Sequence, residues 1–371
     1  MSRYASGLVI GKFYPPHAGH RHLIATAAEQ SEHLSVIVLG NRFESLTVGD
    51  RAEWLAAEFA GHPHVHVIAQ QDDSPEDYDS DEIWKAHSEL MRLALQNTGV
   101  TAVDAVFTSE MYGYQLADAF DAEHVLVDAG RDTYPVSGTL CRDDLGAAWP
   151  NIIEPARQGM ATRIIIVGAE STGTTTLTRA LTEHYRDRYP AIGDVPEYGR
   201  QHTYDKLAEA QLTNPGAGMD DLVWTASDFA LIARRQIELE NAAADQCPLV
   251  IADTDALATV LWERRYAGDY SFGAWTAAPN LPRRDIYLVT DHAGVDFEDD
   301  GFRDGEHIRA DMTEWFKETL TAAGHSWVLV TGSHDRRMAT ATQIIDLILD
   351  QRTAFTSPPW AKRTVLAGAS R

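Results

Sequence analysis

Twice along the chain, an apolar run of strand length ends in glycine and passes through a short loop into a helical pattern. Gly7–Gly11 (GLVIG) leads into Lys12–His20 (KFYPPHAGH), and Arg163–Gly168 (RIIIVG) leads into Ala169–Leu177 (AESTGTTTL). Around each junction, strand-sized apolar runs alternate with longer helical patterns, the order that builds a parallel sheet covered on both faces. In the first half, strands are expected at 7–11, 33–40, 64–69, 104–109 and 124–128, with helices at 18–31, 48–60 and 81–97. In the second, strands are expected at 163–168, 248–253, 285–290 and 327–332, with helices at 174–189, 221–245 and 335–350. Between 150 and 162 the pattern lapses, with two prolines and a glycine, and a boundary falls there. The expected fold class is α/β, with two doubly wound parallel-sheet domains at 1–157 and 158–352 and a loose tail at 353–371.

Composition narrows the function. Lys and Arg number 31 against 55 Asp and Glu, a net charge of −24, which argues against broad nucleic-acid binding. Small phosphorylated ligands stay open, because a few placed cations suffice for them. Two cysteines, Cys141 and Cys247, exclude a disulfide scaffold and fit a reducing compartment. No apolar stretch approaches the ~20 residues of a bilayer span, and the N-terminus lacks the layout of a signal peptide. A cytoplasmic location without membrane contact is expected. The acidic run at 72–82 reads as a solvated loop.

The first junction places His17 and His20 on one face of a helix's first turn, behind a Gly/Pro turn. A helix N-terminus attracts anions, and two imidazoles there can donate hydrogen bonds to a phosphate whose charge builds in the transition state. The chemistry indicated is attack of a phosphate on the α-phosphorus of a nucleoside triphosphate, driven by positioning and charge stabilisation.

This motif resembles that of the HxGH nucleotidylyltransferases, which use a Rossmann-like fold. The resemblance extends to Ser137-Gly-Thr139-Leu-Cys-Arg142, which matches the family's S-x-T-x-x-R clamp for the triphosphate. It implies His17, His20 and Arg142 as catalytic residues, and Gly11, Lys12, Phe13, Ser137 and Thr139 as nucleotide-binding. Over 108–157 the chain is similar to the nicotinamide mononucleotide (NMN) adenylyltransferase domain of the bifunctional NadR-type enzymes, and Arg51 and Trp84 fit the same family as substrate-binding residues. Trp84 either stacks on a pyridinium ring or packs as helix-face core.

The second junction meets the P-loop pattern G-x-x-x-x-G-K-[ST] at every position except that Thr174 stands in place of the lysine. Gly168, Gly173, Thr174, Thr175 and Thr176 are the expected phosphate cradle, with Thr175 a ligand for Mg²⁺. This half resembles the ribosylnicotinamide kinase domain of the same family through Glu197-Tyr198-Gly-Arg200, Asp253-Thr-Asp255 and Asp299-Asp-Gly-Phe-Arg303. The resemblance implies Glu197 or Asp253 as the base, Asp253 as an organiser of Mg²⁺, Tyr198, Arg200 and Asp255 as substrate-binding, and Arg303 as a lid cation. Arg200, Arg303 and Arg309 are the candidates to replace the missing lysine.

The implied function is a bifunctional enzyme of NAD salvage, with nicotinamide riboside, NMN and ATP as small-molecule substrates and Mg²⁺ as cofactor. Homo-oligomerisation stays open. A family helix-turn-helix module is not expected, since six residues precede Gly7. Three alternatives remain: a P-loop half that senses nucleotide without catalysis, a different adenylyl or cytidylyl acceptor such as a pantetheine or glycerol phosphate, and a DNA-binding regulator, which the charge disfavours.

Overall fold

The structure is a computed structural model that describes residues 3–75, 80–110, 113–268, 271–298 and 305–358. Of these, 3–159 and 353–358 form one compact unit and 160–352 a second.

The first unit runs β1 (Tyr4–Gly11), α1 (Ala18–Gln30), β2 (Ser31–Gly40), α2 (Val48–Glu58), β3 (Val65–Gln71), α3 (Asp81–Asn97), β4 (Ala105–Thr108), α4 (Gly113–Phe120), β5 (Glu123–Leu126), α5 (Gly138–Asp143), α6 (Leu145–Ala148) and α7 (Glu154–Met160). Its five strands are parallel in the order β3-β2-β1-β4-β5. Leu8, Val9 and Ile10 of β1 are buried because helices cover both faces, which is why that strand reads as an unbroken apolar run. Leu8 and Ile10 pack with Ile37, Val106 and the α3 residues Met91 and Leu95. The winding reverses between β1 and β4, and at such a switch point a crevice opens above the carboxyl ends of the strands.

The second unit runs β6 (Thr162–Gly168), α8 (Thr174–Tyr185), β7 (Asp194–Val195), α9 (Tyr198–Thr213), α10 (Ala226–Gln246), β8 (Leu249–Asp253), α11 (Ala256–Ala267), β9 (Ile286–Thr290), α12 (Arg309–Ala322), β10 (Trp327–Val330) and α13 (His334–Arg352). The strands are again parallel, in the order β10-β9-β6-β8-β7, so β6, which carries the glycine-rich loop, is central. Ile164 and Ile166 of β6, Leu181 of α8, Ile251 of β8, Leu288 of β9 and Ile345 of α13 share one core. The architecture is therefore α/β with two parallel five-stranded sheets. Among the described residues, no helix is long and apolar enough to cross a membrane.

Several segments depart from expectation. The lapse at 150–162 contains α7, because Pro155 falls in the first turn, where its missing N–H costs nothing. Helix α9 escaped notice because it buries no residue and so carries no apolar stripe. Residues 353–358, expected in a loose tail, lie with the first unit.

A buried ion network ties together α10, α11 and β9 of the second unit. Arg284 donates from Nε to Asp255 Oδ2 and from Nη2 to Glu240 Oε1, each at 3.0 Å. The Tyr287 hydroxyl adds a bond to Asp255 Oδ2 at 2.6 Å. Burial pushes the Glu240 carboxyl up to about 7 against the pull of Arg284. Arg284→Met would leave the buried Asp255 without its cation and Glu240 with only Arg163, 3.9 Å away, and the expected loss is about 3–5 kcal/mol. Urea unfolding followed by a probe in the second unit checks this; a loss below about 1 kcal/mol, the worth of an exposed pair, would contradict it.

Candidate active sites

In the first unit, β1 delivers the histidine motif to the switch-point crevice. His17 ends an antiparallel bridge to Ile152 and is the N-cap of α1. Its ring stacks on that of His20, centroids 3.6 Å apart, and the His20 ring meets Phe13 edge to face at 4.9 Å. Gly19 permits this: a Cβ there would lie 3.2 Å from the His17 ring. Burial, reinforced by Arg131 and Arg142, lowers the His17 pKa to about 4. Desolvation, His17 and Arg131 hold His20 well below the ordinary imidazole value. Both rings are thus neutral at pH 7. His20 Nδ1 accepts the His17 backbone N–H at 3.3 Å, which leaves the His20 proton on Nε2 as a donor. His17 Nδ1 is buried with no hydrogen-bond partner among the described residues, and such an atom asks for a ligand.

The clamp motif meets the histidine loop. Ser137 caps α5 by accepting the Leu140 N–H at 3.2 Å. Arg142 donates from Nη1 to the Tyr14 carbonyl at 2.6 Å and from Nη2 to Thr139 Oγ1 at 3.2 Å. Gly11 ends β1 against the Phe13 ring, and Lys12 pairs with Glu44 Oε1 at 3.2 Å. Cys141 is fully buried and its thiol is pushed up to about 11, so it is no nucleophile at neutral pH.

In the second unit, the loop from Gly168 to Thr176 opens onto a cavity of about 620 Å³. Gly173 holds φ at +86°, a conformation natural to glycine, and caps α8. Thr172 Oγ1 bonds the Ala169 carbonyl and the Thr290 hydroxyl, at 2.7 and 2.6 Å. The Thr175 hydroxyl donates to Asp253 Oδ2. Burial raises the Asp253 pKa against hydrogen bonds from Thr175 and Thr174 and the charges of Arg200 and Arg179. Glu197 and Arg200 line the same cavity.

Of four expected substrate contacts, the fully buried Arg51 and Asp255 are corrected, while Trp84 and Tyr198 are partly buried. Arg51 is fully buried; its guanidinium holds the carbonyls of Thr47, Lys12 and Leu39 and pairs with Glu44 Oε2 at 2.7 Å, so it shapes the loop before α2. Trp84 packs against the α3 core, the helix-face alternative. Tyr198 turns toward α10, packing on the Phe229–Ile232 cluster, while its neighbours Glu197 and Arg200 face the cavity. Asp255 is fully buried in the ion network and also caps α11. Arg309, a candidate for the missing cation, is instead committed to the carbonyls of Ser171 and Val295, at 3.0 and 2.9 Å. Residues 299–303, including Arg303, lie outside the described residues.

Other residues carried no motif. Arg131, in the loop after β5, lowers the pKa of both His17 and His20 through its charge. Arg337 of α13 donates to the Thr172 carbonyl at 2.6 Å and buttresses the P-loop from behind. Trp224, Trp262 and Tyr266 line the cavity as an aromatic wall, with Trp224–Tyr266 centroids 5.8 Å apart and Trp262–Tyr266 6.3 Å. Glu170 of the P-loop ties that wall to the phosphate side: its Oε1 accepts the Tyr266 hydroxyl at 3.3 Å and its Oε2 the Gly305 N–H at 2.8 Å. Six carboxylates, Glu170, Glu197, Asp220, Asp253, Asp296 and Glu298, line the cavity against one arginine, Arg200, among the described residues.

Fold and sites together define an α/β protein with a P-loop in one unit and a paired-histidine strand–helix junction in the other. An AAA domain model matches residues 163–337. The trifunctional NAD biosynthesis/regulator protein NadR of Escherichia coli (strain K12) is 27% identical over 276 residues, 71% of this chain. The chain spans 63% of that relative's length. A crystal structure of NadR protein in complex with NR matches with a TM-score of 0.55 at 21% identity, over 97% of this chain and 99% of that one. A second, of NadR protein in complex with NAD and AMP-PNP, matches with a TM-score of 0.54 at 19% identity, over 95% and 98%. The chain is homologous to NadR.

Because the folded state resists protonating His17 between its ordinary pKa of 6.5 and about 4, while the unfolded chain takes up that proton, stability falls as pH falls through this window. His20 adds to the same slope. Unfolding of the first unit at pH 7 and pH 5 should therefore differ by about 2 kcal/mol from His17 alone. His17→Gln should flatten the slope, and an unchanged slope in that variant would contradict the assignment.

Proposed function

We propose that the chain is a two-site enzyme of NAD salvage: the second unit phosphorylates nicotinamide riboside with ATP, and the first joins the resulting NMN to the AMP of another ATP. The observation that carries this reading is that each central β-strand ends in glycine and runs through a short loop into a helix N-terminus, the second opening into an acidic, aromatic-walled cavity. The homology to NadR supports it.

In the first unit, a phosphate oxygen of NMN attacks the α-phosphorus of ATP and the bond to the β-phosphate breaks, releasing pyrophosphate. Neutral imidazoles suit this step, because they donate to the developing charge without holding the ground state as tightly as a full cation would. Arg142 and Thr139 hold the triphosphate, and Arg131 adds charge over the crevice. In the second unit, the riboside's 5′-hydroxyl attacks the γ-phosphorus and ADP leaves. Glu197 takes the hydroxyl proton, since Asp253 is already engaged by Thr175. Thr175 and Asp253 are hard oxygen donors of the kind Mg²⁺ accepts, and the ion would neutralise phosphate charge when bound. The aromatic wall and surrounding carboxylates suit a cationic pyridinium ring. Arg200, which lines the same cavity as the P-loop, supplies the cation that Thr174 does not.

His17→Ala should lower NAD formation from NMN at least about 100-fold and leave riboside phosphorylation intact. Asp253→Asn should do the reverse. Loss of both activities in either folded variant would contradict the division of labour. Trp262→Ala should raise KM for the riboside about tenfold, and an unchanged KM would remove the aromatic wall from substrate recognition. Thr174 keeps one other reading, a nucleotide sensor; a folded wild-type chain without riboside phosphorylation would favour it.

A further inference from the structure

Tyr14, inside the histidine loop, is 5% exposed and sits between two arginines: its carbonyl accepts Arg142 Nη1 at 2.6 Å, and its ring lies 5.4 Å from the Arg142 guanidinium and 5.2 Å from that of Arg51. Tyr14 is held by Ser45, whose Oγ lies 2.8 Å from its hydroxyl, and by two residues from the other end of the sequence. The Tyr14 hydroxyl donates to the Thr356 carbonyl at 2.9 Å, and the Phe355 ring meets the Tyr14 ring edge to face with centroids 5.5 Å apart. Thr356 Oγ1 donates to the Phe43 carbonyl at 2.6 Å, and the Thr356 N–H reaches Ser45 Oγ at 3.4 Å. The Ser45 N–H in turn donates to the Tyr14 hydroxyl at 3.0 Å.

We propose that Phe355 and Thr356 are positioning residues for the first site, holding Tyr14 and through it the triphosphate-binding Arg142. The proposal rests on the reading of that site as an ATP site. Without the Thr356 carbonyl the buried Tyr14 hydroxyl keeps only Ser45 as a partner and loses one of the bonds that fix it, and its ring, freed from Phe355, loses an aromatic contact that fixes its tilt. The carbonyl that orients Arg142 moves with it. The strap therefore tunes ATP binding in the first unit, while the P-loop in the second is held by its own residues, Arg309 and Arg337.

The test uses the full chain, Phe355→Ala, Phe355→Tyr, and a chain ending at Arg352, assayed for NAD formation from NMN and for riboside phosphorylation. Phe355→Ala and the shortened chain should raise KM for ATP in NAD formation about fivefold, the worth of one hydrogen bond or aromatic contact. Their kcat should stay within about twofold, as for a loss of binding shared by ground and transition states. Phe355→Tyr, which keeps the ring, should behave as wild type, and riboside phosphorylation should be unchanged in all three. An unchanged KM in folded Phe355→Ala, a fall in kcat alone, or equal damage from Phe355→Tyr would overturn the proposal. Amide hydrogen exchange separates it from the functional reading. If wild type forms no NAD, that reading fails, yet faster exchange over 12–17 and 137–142 in Phe355→Ala, with 168–176 unchanged, still upholds the strap; unchanged exchange over 12–17 overturns it.

Discussion

A helix that opens one short loop after a buried parallel strand leaves its first amides pointing into the crevice above the sheet, with no carbonyl of its own to receive them. Both units are built around that constraint. β1 feeds α1 and β6 feeds α8, and in each case the strand is flanked on both sides by parallel partners. The central strand fixes where those amides point, and the rest of each unit decides which side chains surround them. In the first unit the additions are two stacked neutral imidazoles and an arginine. In the second they are a hydroxyl–carboxylate pair and an aromatic wall.

The second unit shows how a P-loop keeps its shape without its lysine. Arginines behind the loop take its outward carbonyls, Arg337 at Thr172 and Arg309 at Ser171. Threonine hydroxyls tie its base to β9 through Thr290. These interactions set the backbone and leave the cavity side to substrate. Glu170 then links the loop to Tyr266 and Gly305, so the phosphate side and the aromatic wall are mechanically one piece.

Much of this was legible from the chain alone, and the limits have physical causes. The two parallel sheets, the strand–loop–helix junctions and the clustering of Ser137, Thr139 and Arg142 follow from local patterns, and local patterns survive folding. Arg51 and Asp255 did not behave as expected because a charge in a motif looks the same whether it faces ligand or a buried partner. Their partners, Glu44 for Arg51 and Arg284 for Asp255, are named only by the tertiary fold. The aromatic wall comes from α11 and the segment before α10, and no local spacing announces a surface assembled from two segments. The strap on Tyr14 spans 342 positions of sequence, a contact beyond any periodicity.

The central claim is that two phosphoryl chemistries run in one chain and feed one product. Label transfer from ATP tests it most directly. The purified chain is supplied with nicotinamide riboside and ATP labelled at the α-, β- or γ-phosphorus in separate reactions, and the NAD is isolated. The account predicts label in NAD from α- and from γ-labelled ATP, the γ-label on the nicotinamide side, and none from β-labelled ATP. NAD lacking the γ-label, or no NAD from the riboside while NMN is converted, would contradict it.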